Sequence, residues 1–408
     1  MRAGFGKFEI TPPMGIELAG YGYYLNRCAL SVRDPLYARA VLLEADGIRT
    51  LIISCDLLGL SKQVCEEVFL HAQRMGIPRE QVLIVSIHTH TGPTIKYHEG
   101  CGFVDDDYVS ALGEKLCRAV DAALEDMGDA TAMYQVMEAF EGDHIYNRTV
   151  ADGPVDRFVR GFVINRAQHR PISMVSAACH GVFRKRSTAV SADFAGEINR
   201  LMDEKGYDSI YLNGLCGDID PWRPSDERLD EFAGIAVDAF LTKLQPVSMT
   251  MKTACFPFTL HLTSVSREDI MGAAKEAVKR EGGPDKPAAR VALTWEREML
   301  EKLDTLKDTE EILCKAVVLG GVTVIALPFE GFTLIGQEIR NIIGRQDALV
   351  LGCAEELLGY LPTKDDIDRG AYAALESTFL YKRFPVVPGE AERLGEEMGM
   401  ALKGILEA

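Results

Sequence analysis

Apolar runs of strand length alternate with amphipathic, helix-length segments along most of this chain, and that alternation narrows the fold more than any other feature. Strand-like runs fall at 36–43, 49–55, 81–87, 159–165, 172–178, 209–213, 322–327 and 348–353. Between and after them, apolar residues recur with helical spacing at 62–75, 107–126, 194–205, 226–243, 266–280, 294–304 and 334–343, and again near 389–406. A strand buried on both faces reads as continuous apolar sequence, whereas a helix covering a sheet keeps an apolar stripe. The pattern predicts an α/β fold with a mixed or mostly parallel central sheet flanked by helices. Segment 262–312 departs from it, being charged and helical with Gly282-Gly283-Pro284 as the turn between two helices. It is expected to leave the sheet as a helical excursion. No internal repeat or low-complexity linker interrupts the 408 residues, so 1–408 is expected to form a single catalytic domain.

Composition excludes some function classes. With 47% hydrophobic and 26% charged residues, the chain can bury a sizeable core. A net charge of -17 argues against a nucleic-acid partner, whose phosphates need neutralising by Lys and Arg. No stretch approaches the roughly 18 apolar residues of a membrane helix, so stable membrane insertion is not expected. The start, Met1-Arg2-Ala3-Gly4-Phe5-Gly6-Lys7, has no apolar signal core, which predicts a cytoplasmic location. The ten cysteines are scattered, with no Cys-x-x-Cys pair, and are expected to be reduced and mostly buried. A small-molecule substrate is the expected partner; a homo-oligomer stays open.

The residues that carry chemistry collect just past the ends of apolar runs, where ligands gather in α/β sheets. Ser86-Ile87-His88-Thr89-His90-Thr91-Gly92-Pro93 follows Gln81-Val82-Leu83-Ile84-Val85. Strand side chains alternate faces, so His88 and His90 are expected to point the same way, opposite Thr89 and Thr91. Two imidazoles on one face at a strand's carboxyl end form half of a metal site. The alternative is a pair of surface or hydrogen-bonded histidines. Asp56, His180, the segment Asn213 to Pro221, Glu330 and Tyr360 stand at comparable strand ends. Taken singly, a strand-end carboxylate also reads as a helix cap or a solvated residue. Two His, one Glu and a further oxygen donor suit zinc, with a position kept for water. A carboxylate is then expected to hold the free ring nitrogen of each histidine, with Asp56, Asp193 and Asp218 as candidates. No phosphate-binding Gly-rich loop, dinucleotide fingerprint or Gly-x-Ser-x-Gly elbow is present.

Several segments then fall into one ordered set: Gly4-Phe5-Gly6-Lys7-Phe8-Glu9-Ile10-Thr11-Pro12-Pro13, His88-Thr89-His90-Thr91-Gly92-Pro93 and Tyr146-Asn147-Arg148. His180-Gly181, Ser191-Ala192-Asp193-Phe194-Ala195-Gly196, Leu327-Pro328-Phe329-Glu330 and Gly359-Tyr360-Leu361-Pro362-Thr363 continue it. The set resembles the neutral/alkaline ceramidase family, in its N-terminal catalytic domain, nearly end to end. The resemblance implies a Zn2+ ion held by His88, His180, Glu330 and Tyr360. It also implies that His90 and Arg148 line the pocket at the scissile carbonyl or its oxyanion, and that an amide bond is hydrolysed. One departure stands out. Where the family has Gly-Asp-Val-Ser-Pro, this chain has Gly217-Asp218-Ile219-Asp220-Pro221. Asp220 therefore replaces the serine, as general base, as anchor for a cationic or hydroxyl group, or as a turn residue before Pro221. The family's C-terminal immunoglobulin-like domain is not expected in this chain. The expected activity is that of a zinc-dependent hydrolase cleaving an amide (N-acyl) bond of a small, polar substrate rather than ceramide. An ester or lactone hydrolase and a non-catalytic, zinc-stabilised binding protein are the alternatives.

Overall fold

Strand residues sort by parity into two cores, which is why their sequences read as unbroken apolar runs. In the strand Tyr37–Ala45, Ala38, Ala40 and Leu42 face one cluster while Val41 and Leu43 face another. The same division runs through Ile48–Cys55 and Val82–Ser86. The first cluster is completed by the helices Lys62–Arg74, Asp106–Glu125, Asp193–Glu204 and Asp226–Thr242. The second is completed by a smaller sheet, through Val317, Leu319, Val322 and Val324. The outer face of that sheet, with Cys314, Ala316 and Ile325, packs on the helices Thr333–Ile343 and Glu390–Glu407. The layers therefore run helices, large sheet, small sheet, helices. The computed structural model describes residues 1–263, 266–305 and 307–407.

The large sheet has the order Asp208–Asn213, Ile172–Ala177, Phe158–Arg166, Gly128–Ala139, Arg2–Glu9, Tyr37–Ala45, Ile48–Cys55, Val82–Ser86, with Gln245–Val247 also pairing onto Gly128–Ala139. It is mixed, and parallel pairing is confined to its two ends, where Asp208–Asn213 meets Ile172–Ala177 and Ile48–Cys55 meets Val82–Ser86. The small sheet has the order Met251–His261, Thr309–Leu319, Val322–Ala326, Leu349–Leu351, parallel only in its last pair. The expected excursion is present as the helices Arg267–Glu281 and Pro287–Lys302, lying between two strands of the small sheet. Gly282, at a φ of +83°, ends the first of them. It forms a separate apolar cluster in which Ile270, Val291 and Trp295 pack against Phe379, Leu380 and Phe384.

The two sheets are joined at the carboxyl ends of their strands. Ser86 N donates to Cys353 O at 3.0 Å, Gly352 N to Asn213 O at 3.1 Å, and Gly217 N to Gly331 O at 2.9 Å. These bonds draw the loops after strands of both sheets into one place. All ten cysteines are free thiols. Among the described residues no helix is long and apolar enough to cross a membrane.

Candidate metal centre

His88 reaches its position by a route that strand alternation does not supply. The strand ends at Ser86, and His88 lies beyond it with a φ of +63°, a left-handed conformation uncommon for a side chain of this size. Its amide donates to Leu57 O at 2.9 Å and its Nδ1 to Leu58 O at 2.8 Å. Next to it, Thr89 forms a parallel bridge with Gly181, and His90 N donates to Gly181 O at 3.0 Å. A Cβ on residue 181 would sit 2.6 Å from His88 O, so the approach requires glycine. That bridge sets His88 and His180 side by side, with ring centroids 4.7 Å apart. His180 Nδ1 donates to Cys216 O at 2.6 Å.

A ring nitrogen facing a carbonyl must carry the hydrogen, so both histidines present Nε2 as a lone pair when neutral. Both Nε2 atoms lie 3.1 Å from the same oxygen, Glu330 Oε2. His88 Nε2 is fully buried and has no hydrogen-bond partner. Three buried groups thus converge on one point: His180 Nε2 and Glu330 Oε2 share a hydrogen bond, and His88 Nε2 is left without one. Tyr360 closes the group: its hydroxyl lies 3.4 Å from His180 Nε2, and Glu330 and Tyr360 are register partners in a short parallel pair. Two imidazoles, a carboxylate and a phenol oxygen are a donor set that fits zinc. Burial works against ionisation of Glu330, but the two histidines outweigh it and hold the carboxyl well below its usual range. Burial and Arg148 work against a charge on His180, yet Cys216 and Glu330 raise it to about 10. Without a cation, His180 therefore holds the proton that would keep it beside the carboxylate.

The other expected residues surround this centre. His90 is 9% exposed, and neither ring nitrogen has a partner. Its ring lies 5.0 Å from that of His88 and 5.5 Å from that of His180. Burial, then its two histidine neighbours, push its pKa well below normal, so it stays neutral. Arg148 Nη2 donates to the Tyr360 hydroxyl at 2.9 Å and to Gly217 O at 2.9 Å, while Nη1 meets Asp220 Oδ1 at 3.3 Å. Asp220 sits on the short strand Ile219–Pro221, paired with Ile145–Asn147. The carboxylates expected to orient the histidines do other work. Asp56 takes two hydrogen bonds from Arg39 Nη1, at 2.9 and 2.7 Å. Asp193 accepts backbone N–H bonds from Phe183, Arg184 and Phe194. Asp218 accepts from Thr333 and Asn147. Backbone carbonyls, which bring no buried charge, orient the two rings instead.

No family model matches the chain, and no curated protein matches it in sequence. Solved structures do match. The crystal structure of neutral ceramidase from Pseudomonas aeruginosa has a TM-score of 0.75 at 15% identity, over 99% of this chain and 74% of that one. A ceramidase complexed with C2 gives 0.74 at 15% identity, over 99% and 75%. The chain has the fold of the neutral ceramidases. The resemblance carried by the motifs is thus borne out as a likeness of fold across nearly the whole chain.

Within this ceramidase-like fold, three contributors were not legible in the motifs. Leu58 acts through its carbonyl, which no side-chain pattern records. Cys216 lies with His88 and His180 in a group whose donor atoms are all within 4.8 Å of one another. Its thiol also accepts from Asn213 Nδ2 at 3.4 Å and packs in a buried cluster with Cys353 and Leu357. Tyr381 donates from its hydroxyl to Glu330 Oε1 at 2.5 Å. It ends a helix of six residues, Glu376–Tyr381, too short to leave a periodic signal.

Proposed function

We propose that the chain is a zinc-dependent hydrolase cleaving an amide (N-acyl) bond. The observation that supports it most directly is the convergence of the His88 and His180 Nε2 atoms on Glu330 Oε2, 3.1 Å from each. His88, His180, Glu330 and Tyr360 would hold a zinc ion, which would supply a Lewis acid for a carbonyl oxygen and would lower the pKa of a bound water toward neutrality. Arg148, a permanent cation beside Tyr360, is placed to stabilise negative charge developing on the carbonyl oxygen. His90, neutral and unpaired, offers a ring N–H to the same oxygen or to the substrate amide. Asp220 holds Arg148 in place and is the part-exposed carboxylate that a cationic or hydroxyl-bearing leaving group would meet.

The pocket in front of His88 and His90 encloses about 80 Å³ and opens to solvent. Leu58, Leu60, Ile95, Leu357 and Leu380 line it. An apolar wall beside a polar rim suits an acyl group on a polar amine. The test is turnover of N-acyl amines with polar or cationic amine parts, beside matched esters and lactones. Amide turnover that is lost on zinc removal and in His180→Ala supports the proposal. Turnover of esters or lactones alone would move the reaction to that class. Bound zinc with no turnover of any substrate would make the chain a zinc-stabilised binding protein.

A further inference from the structure

Glu330 has two carboxylate oxygens, and only one faces the histidines. Oε2 is 3.1 Å from both Nε2 atoms, while Oε1 accepts the Tyr381 hydroxyl at 2.5 Å. A carboxylate free to turn can present both oxygens to a cation; one pinned at Oε1 presents Oε2 alone. Tyr381 is itself held from two directions. On one side stands Gly359, at a φ of +100°, where a Cβ would lie 2.8 Å from the Tyr381 ring. On the other side the chain turns immediately after Tyr381, with Lys382 left-handed at a φ of +52°. That turn is tied to the helical excursion: Lys382 Nζ meets Glu298 Oε1 at 2.7 Å, and Trp295 Nε1 donates to Arg383 O at 3.0 Å. The Trp295 ring lies 4.8 Å from that of Phe379, two residues before Tyr381.

We propose that Tyr381 is a positioning residue of the metal centre and that the two-helix excursion is the buttress that holds it there. The inference rests on the metal reading given above. Tyr381 acts through Glu330, fixing which oxygen faces the cation, as hydrogen-bonded partners of metal ligands generally do. The charged segment that leaves the sheet thereby has a task at the centre of the molecule.

The test compares metal-free wild type with Tyr381→Phe, which keeps the ring and removes the hydroxyl, and with Lys382→Met, which breaks the tie to Glu298. Zinc affinity is measured by competition with a chromophoric chelator, and folding by circular dichroism. Tyr381→Phe is expected to stay folded and to bind zinc about ten- to a hundredfold more weakly. Lys382→Met is expected to lose a few-fold. Loading with cobalt(II) gives a readout independent of turnover: freeing Oε1 to chelate raises the coordination number and weakens the visible bands. Zinc affinity within twofold of wild type in Tyr381→Phe, with an unchanged cobalt spectrum, would overturn the proposal while leaving the metal site standing. Unchanged affinity in Lys382→Met alone would overturn the buttress. A wild-type protein that takes up neither metal would overturn the metal reading itself, and this inference with it.

Discussion

Asp220 Oδ1 lies 3.3 Å from Arg148 Nη1 and 3.8 Å from the Nδ1 edge of His180, the edge turned away from Glu330. The Asp220 carboxylate therefore stands behind the histidine and against the arginine. Its first effect is on where the guanidinium points. Asp220→Asn is expected to keep its zinc and lose about tenfold in kcat, roughly 1.4 kcal/mol of transition-state stabilisation. Steady-state kinetics with elemental analysis would check this. A loss nearer a thousandfold, with the acid limb of the pH–rate profile gone, would make Asp220 the general base instead.

Arg148 is the fixed positive charge beside the reacting carbonyl in this account. Lysine cannot reproduce its fork of contacts to Tyr360, Gly217 and Asp220. Arg148→Lys is expected to reduce kcat by about 10²- to 10³-fold, the usual cost of losing one oxyanion donor, with zinc content unchanged. Activity within a few-fold of wild type would remove Arg148 from the reaction.

Gly181 is the contact on which the two histidine-bearing loops meet. A Cβ there would lie 2.6 Å from His88 O and 2.9 Å from Thr89 Cα, and both are backbone atoms that cannot rotate aside. Gly181→Ala is expected to cost about 1–3 kcal/mol of stability and to separate the histidines. A lowered Tm together with weakened zinc binding would be the signature; an unchanged Tm would contradict the close approach.

Asp193 gives a pH dependence of opposite sign to that of a carboxylate held ionised by an ion pair. Burial raises its pKa from 3.8 to about 6, although three backbone N–H groups favour the charged form. Below about 6 the folded state holds a proton that the unfolded chain does not bind until near 3.8. Stability from this group therefore rises as pH falls through that window and is lost as pH climbs above it. Denaturation of wild type and Asp193→Asn should show their difference shifting toward wild type by on the order of 1 kcal/mol between pH 7 and pH 5. A difference independent of pH would show that Asp193 ionises normally.

What could be read from sequence follows from what each element buries. Strands in the middle of the layers, such as Ile48–Cys55 and Ile172–Ala177, are apolar on both faces and were legible. Gly128–Ala139 is half exposed along much of its length and carries no such run. Met251–His261 contains Pro257, tolerable because the strand is an edge. Arg2–Glu9 is broken by Gly4 and Gly6, where a Cβ would lie 2.0 Å from a carbonyl of helix Asp106–Glu125. At the site, strand-end position and motif order led to His88, His90, His180, Glu330 and Tyr360, which the fold gathers into one group, all but His180 lining the same pocket. The route was partly different: His88 and His90 share a side because of a left-handed residue and the bridge to Gly181, outside any strand. The groups that orient the rings are carbonyls, and a carbonyl has no residue type to read.

His88 and His180 are expected to hold one metal ion between them. The most direct measurement is elemental analysis of protein stripped with chelator, reloaded with zinc and desalted. About one zinc per chain in wild type, with most of it lost in both His88→Ala and His180→Ala, is the predicted result. Full occupancy in both single mutants, or no zinc retained by wild type, would contradict it.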